Sequence, residues 1–134
     1  MNRLEEIEAI KQLKGRYFRG LDCKDWALFR SVFTDDFNGN YGDSDAEKFN
    51  SGDAIVEQMK AMLADAVTVH HGHTPEIEII DETSAKGIWA MEDIVEHADF
   101  KLQGWGHYHE TYRKLEGEWK IASVQLARLK LVFG

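Results

Sequence analysis

The residues of this sequence best suited to proton-transfer chemistry are an aspartate near position 20 and three histidines near position 70. Asp22 lies at the edge of an apolar helical stripe, and His70, His71 and His73 crowd into four positions of a strand-like stretch. An imidazole exchanges its proton near neutral pH, and a carboxylate partner determines which ring nitrogen carries that proton. Asp22 could be the partner of His70. A helix-capping aspartate and a histidine satisfied within the core explain the same residues without any chemistry.

Three further polar side chains fall on or beside faces that are otherwise apolar. Tyr17 lies on the other edge of the helical stripe, Asp93 shares a strand face with Trp89 and Met91, and Arg128 interrupts an apolar face of the last strand. A charge buried without a partner is costly. Asp93 therefore lies off the core, or it has a partner or a function. An ion pair between Asp93 and Arg128 would satisfy both charges without any catalytic role.

Two His-x-His pairs have the spacing that places both rings of a strand on one face. His71 and His73, followed by Glu76, resemble a metal-ligand pattern. That glutamate comes one residue early for the common arrangement, which belongs to an all-β fold, whereas the first 65 residues here have helical periods. We therefore expect no metal and no other cofactor, and we expect His107 and His109 to be exposed or lining residues.

The elements that position these residues change from helical to strand-like periodicity near residue 65. A first helix is predicted from an apolar stripe, a second helix at residues 25–33, a loop around residues 38–43, and a third helix capped by Ser51 or Asp53. Strands are predicted at residues 67–71, 76–80, 85–97, 105–115 and 119–131, with Pro75 at a strand start or bulge and a further bulge near Ser123. The stripe of the first helix consists of Leu4, Ile7, Ile10, Tyr17, Phe18 and Leu21.

Helices followed by antiparallel strands predict an α+β fold in which the N-terminal helices pack on one face of a curved sheet. Long bulged strands curl, and a cavity remains at the open end of such a sheet. With 134 residues, one proline and no linker-like stretch, we expect residues 1–134 to form a single domain.

The composition of the chain argues against several classes of binding partner. The formal net charge of −8 argues against nucleic acid and against anionic membrane surfaces as partners. Cys23 is the only cysteine, so an internal disulfide is excluded. The charged N-terminus lacks the apolar core of a signal peptide, and no apolar run reaches the length of a membrane span, so we expect a cytoplasmic protein.

Several segments together resemble the SnoaL-like family of the nuclear-transport-factor-2-like (NTF2-like) superfamily, which includes scytalone dehydratase, the bile-acid 7α-dehydratases and the dehydrochlorinase of lindane breakdown. The resemblance covers nearly the whole chain. It is carried by residues 69–79, 87–93, 104–112 and 119–122, together with Tyr17, Asp22 and Arg128.

The resemblance implies a cone-shaped α+β fold and a homodimer or homotrimer. It also implies a cofactor-independent lyase (dehydratase-like) or isomerase in which an Asp–His general base acts on a small, largely apolar carbonyl compound. His70 is preferred over His71 and His73 because Gly72 and Thr74 leave room beneath it. A non-catalytic module that binds a small molecule or another protein is the alternative. The matching catalytic residues are Asp22, His70, Tyr17, Asp93 (as an acid) and Arg128, and the expected walls of the pocket are Trp89, Met91, Tyr108 and Tyr41.

Overall fold

Helices α1 and α2 precede the sheet in the computed structural model, which describes residues 1–134. Helix α1 begins at Arg3 because the Asn2 side chain accepts hydrogen bonds from the N–H groups of Leu4 and Glu5. Ser51 caps α3 by accepting from the N–H of Ala54, so the first of the two predicted caps is confirmed. The helices are α1 (Arg3–Asp22), α2 (Trp26–Ser31) and α3 (Gly52–Leu63), with a short 3-10 turn at Asp45–Glu47.

Six strands form one sheet in the order β2-β1-β6-β5-β4-β3. Every neighbouring pair is antiparallel except β1 and β6, which run parallel. The predicted α+β fold, with helices on a curved and mainly antiparallel sheet, is confirmed. The strands are β1 (Phe33–Asn40), β2 (Lys48–Phe49), β3 (Val67–Ile79), β4 (Ser84–Glu96), β5 (Lys101–Leu115) and β6 (Glu118–Phe133).

The first half of the chain contains two strands where the sequence predicted only helices and a loop. Residues 38–40 belong to β1, because this segment pairs with β6 from Asn38 to Asn40. Long-range backbone hydrogen bonds thus override turn-forming side chains, as strand preferences depend strongly on context. Residues 67–71 and 76–80 were predicted as separate strands, but they form the single strand β3. Its register shifts between His73 and Glu76, so the predicted irregularity at Pro75 is confirmed.

Two bulges bend β6. Ile121 pairs with Tyr112 and Ser123 with Thr111, so Ala122 is the extra residue and the predicted bulge near Ser123 is confirmed. A second bulge, which the sequence did not predict, leaves Leu129 as the extra residue. The first bulge explains why the inward positions of β6 change from odd to even numbers.

The hydrophobic core lies between the helices and the inner face of the sheet and contains 22 buried apolar residues. Helix α1 buries Ile10, Leu13 and Leu21 there, whereas Leu4 is 78% exposed. The buried face of α1 therefore begins at Ile10. The prediction that Leu4 belongs to this face was wrong. No helix has the combination of length and apolar character that crossing a membrane would require.

Candidate active site

The site is built where the end of α1 meets the first half of β3. Asp22 is the last residue of α1, and Thr68 and His70 lie on the inner face of β3, where both are buried. After the C-cap residue Cys23, Lys24 takes a left-handed conformation with φ of 59°. The Lys24 ammonium group donates to the Thr68 hydroxyl at 2.7 Å, which ties the end of α1 to β3.

Asp22 and His70 form a hydrogen-bonded pair. The Nδ1 atom of His70 lies 2.7 Å from Oδ1 of Asp22, and the backbone N–H of His70 donates to Oδ2 at 2.7 Å. Because an ionised carboxylate can only accept hydrogen bonds, Nδ1 is assigned the proton and Nε2 the lone pair. This arrangement leaves the basic nitrogen on the side of the ring that faces away from Asp22.

The surroundings of Asp22 favour its ionised form. Burial raises the pKa of the carboxyl group, but the hydrogen bonds and charge of His70, together with Thr68, outweigh burial and hold the pKa below its ordinary value of 3.8. The Thr68 hydroxyl donates to Oδ1 at 2.9 Å. Asp22 thus remains a carboxylate that can orient the imidazole and stabilise its protonated form.

A second carboxylate lies on the other side of the imidazole. Oδ2 of Asp93 is 3.9 Å from Nε2 of His70. Both oxygens of Asp93 accept hydrogen bonds from Arg128, at 2.9 and 3.0 Å. Partial burial lowers the pKa of Arg128, but the bonds and charge of Asp93 more than offset that effect and raise it. With two guanidinium donors bound, Asp93 accepts hydrogen bonds here, whereas the family resemblance implied that it acts as an acid.

Three phenols lie beside the pair. The hydroxyls of Tyr17 and Tyr41 are 3.0 Å apart, and the ring of Tyr108 packs edge-on against that of Tyr17. Burial is the main cause that raises the pKa of each of these phenols well above the ordinary value of 10.0. All three stay neutral at physiological pH and can donate hydrogen bonds.

A cavity of about 140 Å³ joins these groups. Its polar lining includes His70, Asp93, Arg128, Tyr17 and Tyr41, and most of the remaining wall is apolar. The apolar part of the wall includes Leu21, Phe49, Met59, Leu63, Val95, Phe100, Leu102 and Leu126. Mostly apolar walls with a few polar groups are the kind of lining that orients a compact organic molecule.

Two residues expected in the wall lie elsewhere. Tyr41 and Tyr108 line the cavity, but Trp89 and Met91 are buried further along β4 and do not. The reason is the packing of α1, since the Phe18 ring covers this part of the sheet against Gly72 and Trp89. Trp89 instead donates through its indole N–H to the Tyr112 hydroxyl at 3.0 Å.

His71 and His73 lie on the outer face of the sheet, opposite His70, because side chains alternate along β3. The glutamate near them is Glu92 of β4, where the sequence pattern suggested Glu76. Glu76 follows the register shift in β3 and pairs with Ile88. A hollow of about 840 Å³ also opens beside strands of this sheet, but the Asp22–His70 pair does not line it.

A fully buried ion pair, which the sequence did not predict, lies beneath the cavity. Lys14 Nζ lies 2.5 Å from Oε2 of Glu110, and neither side chain is exposed. The same ammonium group lies 3.6 Å from the centre of the Tyr17 ring and 3.9 Å from that of Tyr108. Glu110 also accepts from the Tyr112 hydroxyl at 2.6 Å. Burial lowers the pKa of Lys14 although Glu110 opposes this shift.

Local spacing could have identified this pair. Lys14 comes four residues after Ile10 and three before Tyr17, which places it within the buried face of α1. Glu110 shares its strand face with Tyr108 and Tyr112. Through the two phenol rings, the pair supports the floor of the cavity.

This chain is similar in sequence to a known protein family and to a fungal protein. The SnoaL-like domain family matches residues 2–125. The probable cyclase FGR4 of Gibberella zeae is 27% identical, with 93% of this chain and 92% of that protein covered.

Two solved structures have the same fold. A scytalone dehydratase-like protein from Novosphingobium aromaticivorans has a TM-score of 0.87 at 21% identity, over 97% of this chain and 88% of that one. The type 2 LinA hexachlorocyclohexane dehydrochlorinase also has a TM-score of 0.87, at 16% identity, over 98% of this chain and 90% of that one.

Proposed function

Because this chain belongs to the SnoaL-like family of the NTF2-like superfamily, as its sequence predicted, we propose that it is a cofactor-independent lyase (dehydratase-like) or isomerase. Its substrate is a small, largely apolar carbonyl compound. The observation that carries the proposal is the Asp22–His70 pair, with Nδ1 and Oδ1 at 2.7 Å and the ring on the wall of an apolar cavity. Relatives named as a cyclase, a dehydratase and a dehydrochlorinase support the same kind of chemistry.

In this proposal His70 is the general base. Its Nε2 removes a proton from the carbon next to the carbonyl group, and the electron pair of that C–H bond forms an enolate. Asp22 holds the ring in the required tautomer and stabilises the imidazolium that results. Asp93, at 3.9 Å from Nε2, adds a second negative charge beside the new positive charge. General base catalysis of this type contributes roughly 10²–10⁴-fold to a rate.

The phenols stabilise the enolate oxygen. Tyr17 and Tyr41 share one hydrogen bond between their hydroxyls, so one of the two protons remains free for the substrate. Because both phenols stay neutral, each can only donate or accept a hydrogen bond and cannot compete with His70 as the base. An oxyanion donor in a water-poor site contributes about 3–4 kcal/mol.

The proton that His70 takes up leaves with the product. In a dehydration, the enolate electron pair forms the new double bond, the C–O bond to the β-hydroxyl breaks, and His70 protonates the departing oxygen to give water. In an isomerisation, His70 returns the proton to a different carbon. In this proposal Arg128 donates a hydrogen bond to the departing oxygen, which its position on the cavity wall and its 27% exposed side chain support.

A panel of one-ring and two-ring β-hydroxy ketones in D₂O tests the proposal without knowledge of the natural substrate. NMR measures deuterium incorporation at the α-carbon, and mass spectrometry measures loss of water. We expect exchange or dehydration with the wild type, and a loss of about 10²–10⁴-fold in His70→Gln. His107→Gln is the matched control, since that residue lies on the opposite face of the sheet.

Saturation-transfer NMR with the same panel measures binding separately from catalysis. Compounds that bind in the cavity without any exchange would contradict the enzymatic proposal and support a non-catalytic binding module. Equal exchange in wild type and His70→Gln would contradict the assignment of the base.

A further inference from the structure

Although the sequence pattern with Glu76 led us to expect no metal, we propose that the outer face of the sheet carries a zinc-type metal site formed by His71, His73 and Glu92. This site is separate from the acid–base pair, because His70 points to the inner face of the same strand. His71 lies directly opposite Glu92 in the β3–β4 register. The site would therefore bridge β4 and β3, the latter at the edge of the sheet.

The distances between the donor atoms suit a tetrahedral ion. Oε1 of Glu92 lies 3.4 Å from Nδ1 of His71 and 3.5 Å from Nε2 of His73. With bonds of about 2.0–2.1 Å to zinc, the edge of a coordination tetrahedron is roughly 3.3–3.5 Å. The three donor atoms all lie within 4.8 Å of one another, so small side-chain rotations would bring them to these edge lengths. The rings can rotate to do so, since the two side chains are 58% and 54% exposed.

The charges around Glu92 also favour a cation. Its ion-pair contacts are with the two histidines alone, and no lysine or arginine neutralises it. A nearby exposed carboxylate, Glu78, does have such a partner, Lys86, at 3.2 Å. Two imidazoles and one carboxylate are the ligand types that zinc and its neighbours in the first transition row bind. The fourth position is open to water.

The second His-x-His pair of the chain provides an internal control. His107 and His109 occupy the same face of β5, but the residues opposite them on β4 are Ala90 and Ile88. On β6 they face Ala127 and Gln125. The two imidazole pairs therefore have the same spacing along a strand, and they differ in whether a carboxylate lies directly opposite.

Calorimetric titration of the tag-free protein with zinc chloride tests the site. We expect one zinc ion per chain, and affinity at least about tenfold weaker in His71→Gln, His73→Gln and Glu92→Gln, because even second-shell substitutions cost that much. The double variant His107→Gln/His109→Gln should bind as the wild type does, and so should His70→Gln. Zinc should also raise the Tm of the wild type, since it binds the folded chain across two strands.

Imidazole NMR signals of the wild type give a second measurement that needs no variant. Zinc should shift the ring signals of His71 and His73 and leave those of His107 and His109 in place. The proposal is overturned if Glu92→Gln binds zinc as tightly as the wild type, or if the His107/His109 pair accounts for the binding.

Discussion

Arg128 reaches Asp93 by crossing the bare backbone of Gly104. The three residues lie on adjacent strands, with Gly104 of β5 directly opposite Asp93 of β4. A Cβ atom at position 104 would collide with the Arg128 guanidinium and with Oδ1 of Asp93. The absence of a side chain on β5 is therefore what lets the ion pair form at the wall of the cavity.

Substituting alanine for Gly104 should displace Arg128 from Asp93. We expect stability to fall by about 1–3 kcal/mol, as for other overpacked sites. The rate of water loss from the β-hydroxy ketones should fall more than tenfold, because Arg128 would no longer lie where it can donate to the departing oxygen. Urea unfolding and the D₂O assay measure the two effects. Gly15→Ala is the control, since a Cβ there meets nothing and the helix should gain roughly 0.5–1 kcal/mol. Full activity in Gly104→Ala would show that the ion pair is not required.

Asp22→Asn should lower kcat by roughly 10²–10⁴-fold and leave KM almost unchanged. The reason is that an amide cannot stabilise the imidazolium, whereas the walls that bind the substrate stay intact. Thr68→Val removes only one of the donors to Asp22 and should have a smaller effect. The kcat and KM of both variants are measured from α-proton exchange, with the panel compound that the wild type exchanges fastest. A change confined to KM would instead indicate that Asp22 contributes to binding.

Asp22 should also make the free energy of unfolding depend on pH in the acid range. Its folded-state pKa lies below the ordinary value of 3.8, so ionised Asp22 stabilises the fold above that pH. This contribution should be lost as pH falls from about 4 through the lower folded-state pKa. Unfolding free energies of the wild type and Asp22→Asn, measured by urea from about pH 5 to about pH 2, should therefore converge at low pH. If the two curves of unfolding free energy against pH stayed parallel, they would contradict the lowered pKa of Asp22. Other carboxylates with lowered pKa, such as Asp81, contribute equally to both proteins.

Removing one member of the buried Lys14–Glu110 pair should strongly destabilise the fold. Lys14→Met leaves the Glu110 charge buried without its cation, and we expect a loss of about 3–5 kcal/mol. The double variant Lys14→Met/Glu110→Gln should recover part of that loss, because glutamine is neutral and can still accept from Tyr112. Urea unfolding of the single and double variants gives the coupling, about 0.5–3 kcal/mol for residues in contact. Strictly additive losses would contradict the ion pair.

Periodicity was sufficient to predict most of the fold. The helical stripe of α1, the Ser51 cap and the long alternating strands are local signals, and they specify which face of an element is apolar. The bulge near Ser123 was visible as a change of parity. Strand β1 was missed, because its turn-forming residues, such as Asn38 and Asn40, become extended only by pairing with β6.

The candidate residues were found for the same reason, since a charged or polar group on an apolar face is visible in the sequence. Asp22, His70, Asp93 and Arg128 were identified in this way. Trp89 and Met91 share the inward face of β4 with Asp93, but spacing along one strand could not reveal that Phe18 covers part of that face.

The sequence by itself determined the faces of the elements and the family pattern, because both depend on residues close together along the chain. Only the tertiary structure decided the partners. It paired Asp22 with His70 across 48 positions, selected Glu92 over Glu76 beside His71, and joined Lys14 to Glu110. Such partners are set by strand register and by the packing of α1 on the sheet. A single-residue slip in register would turn every side chain of a strand to the other face.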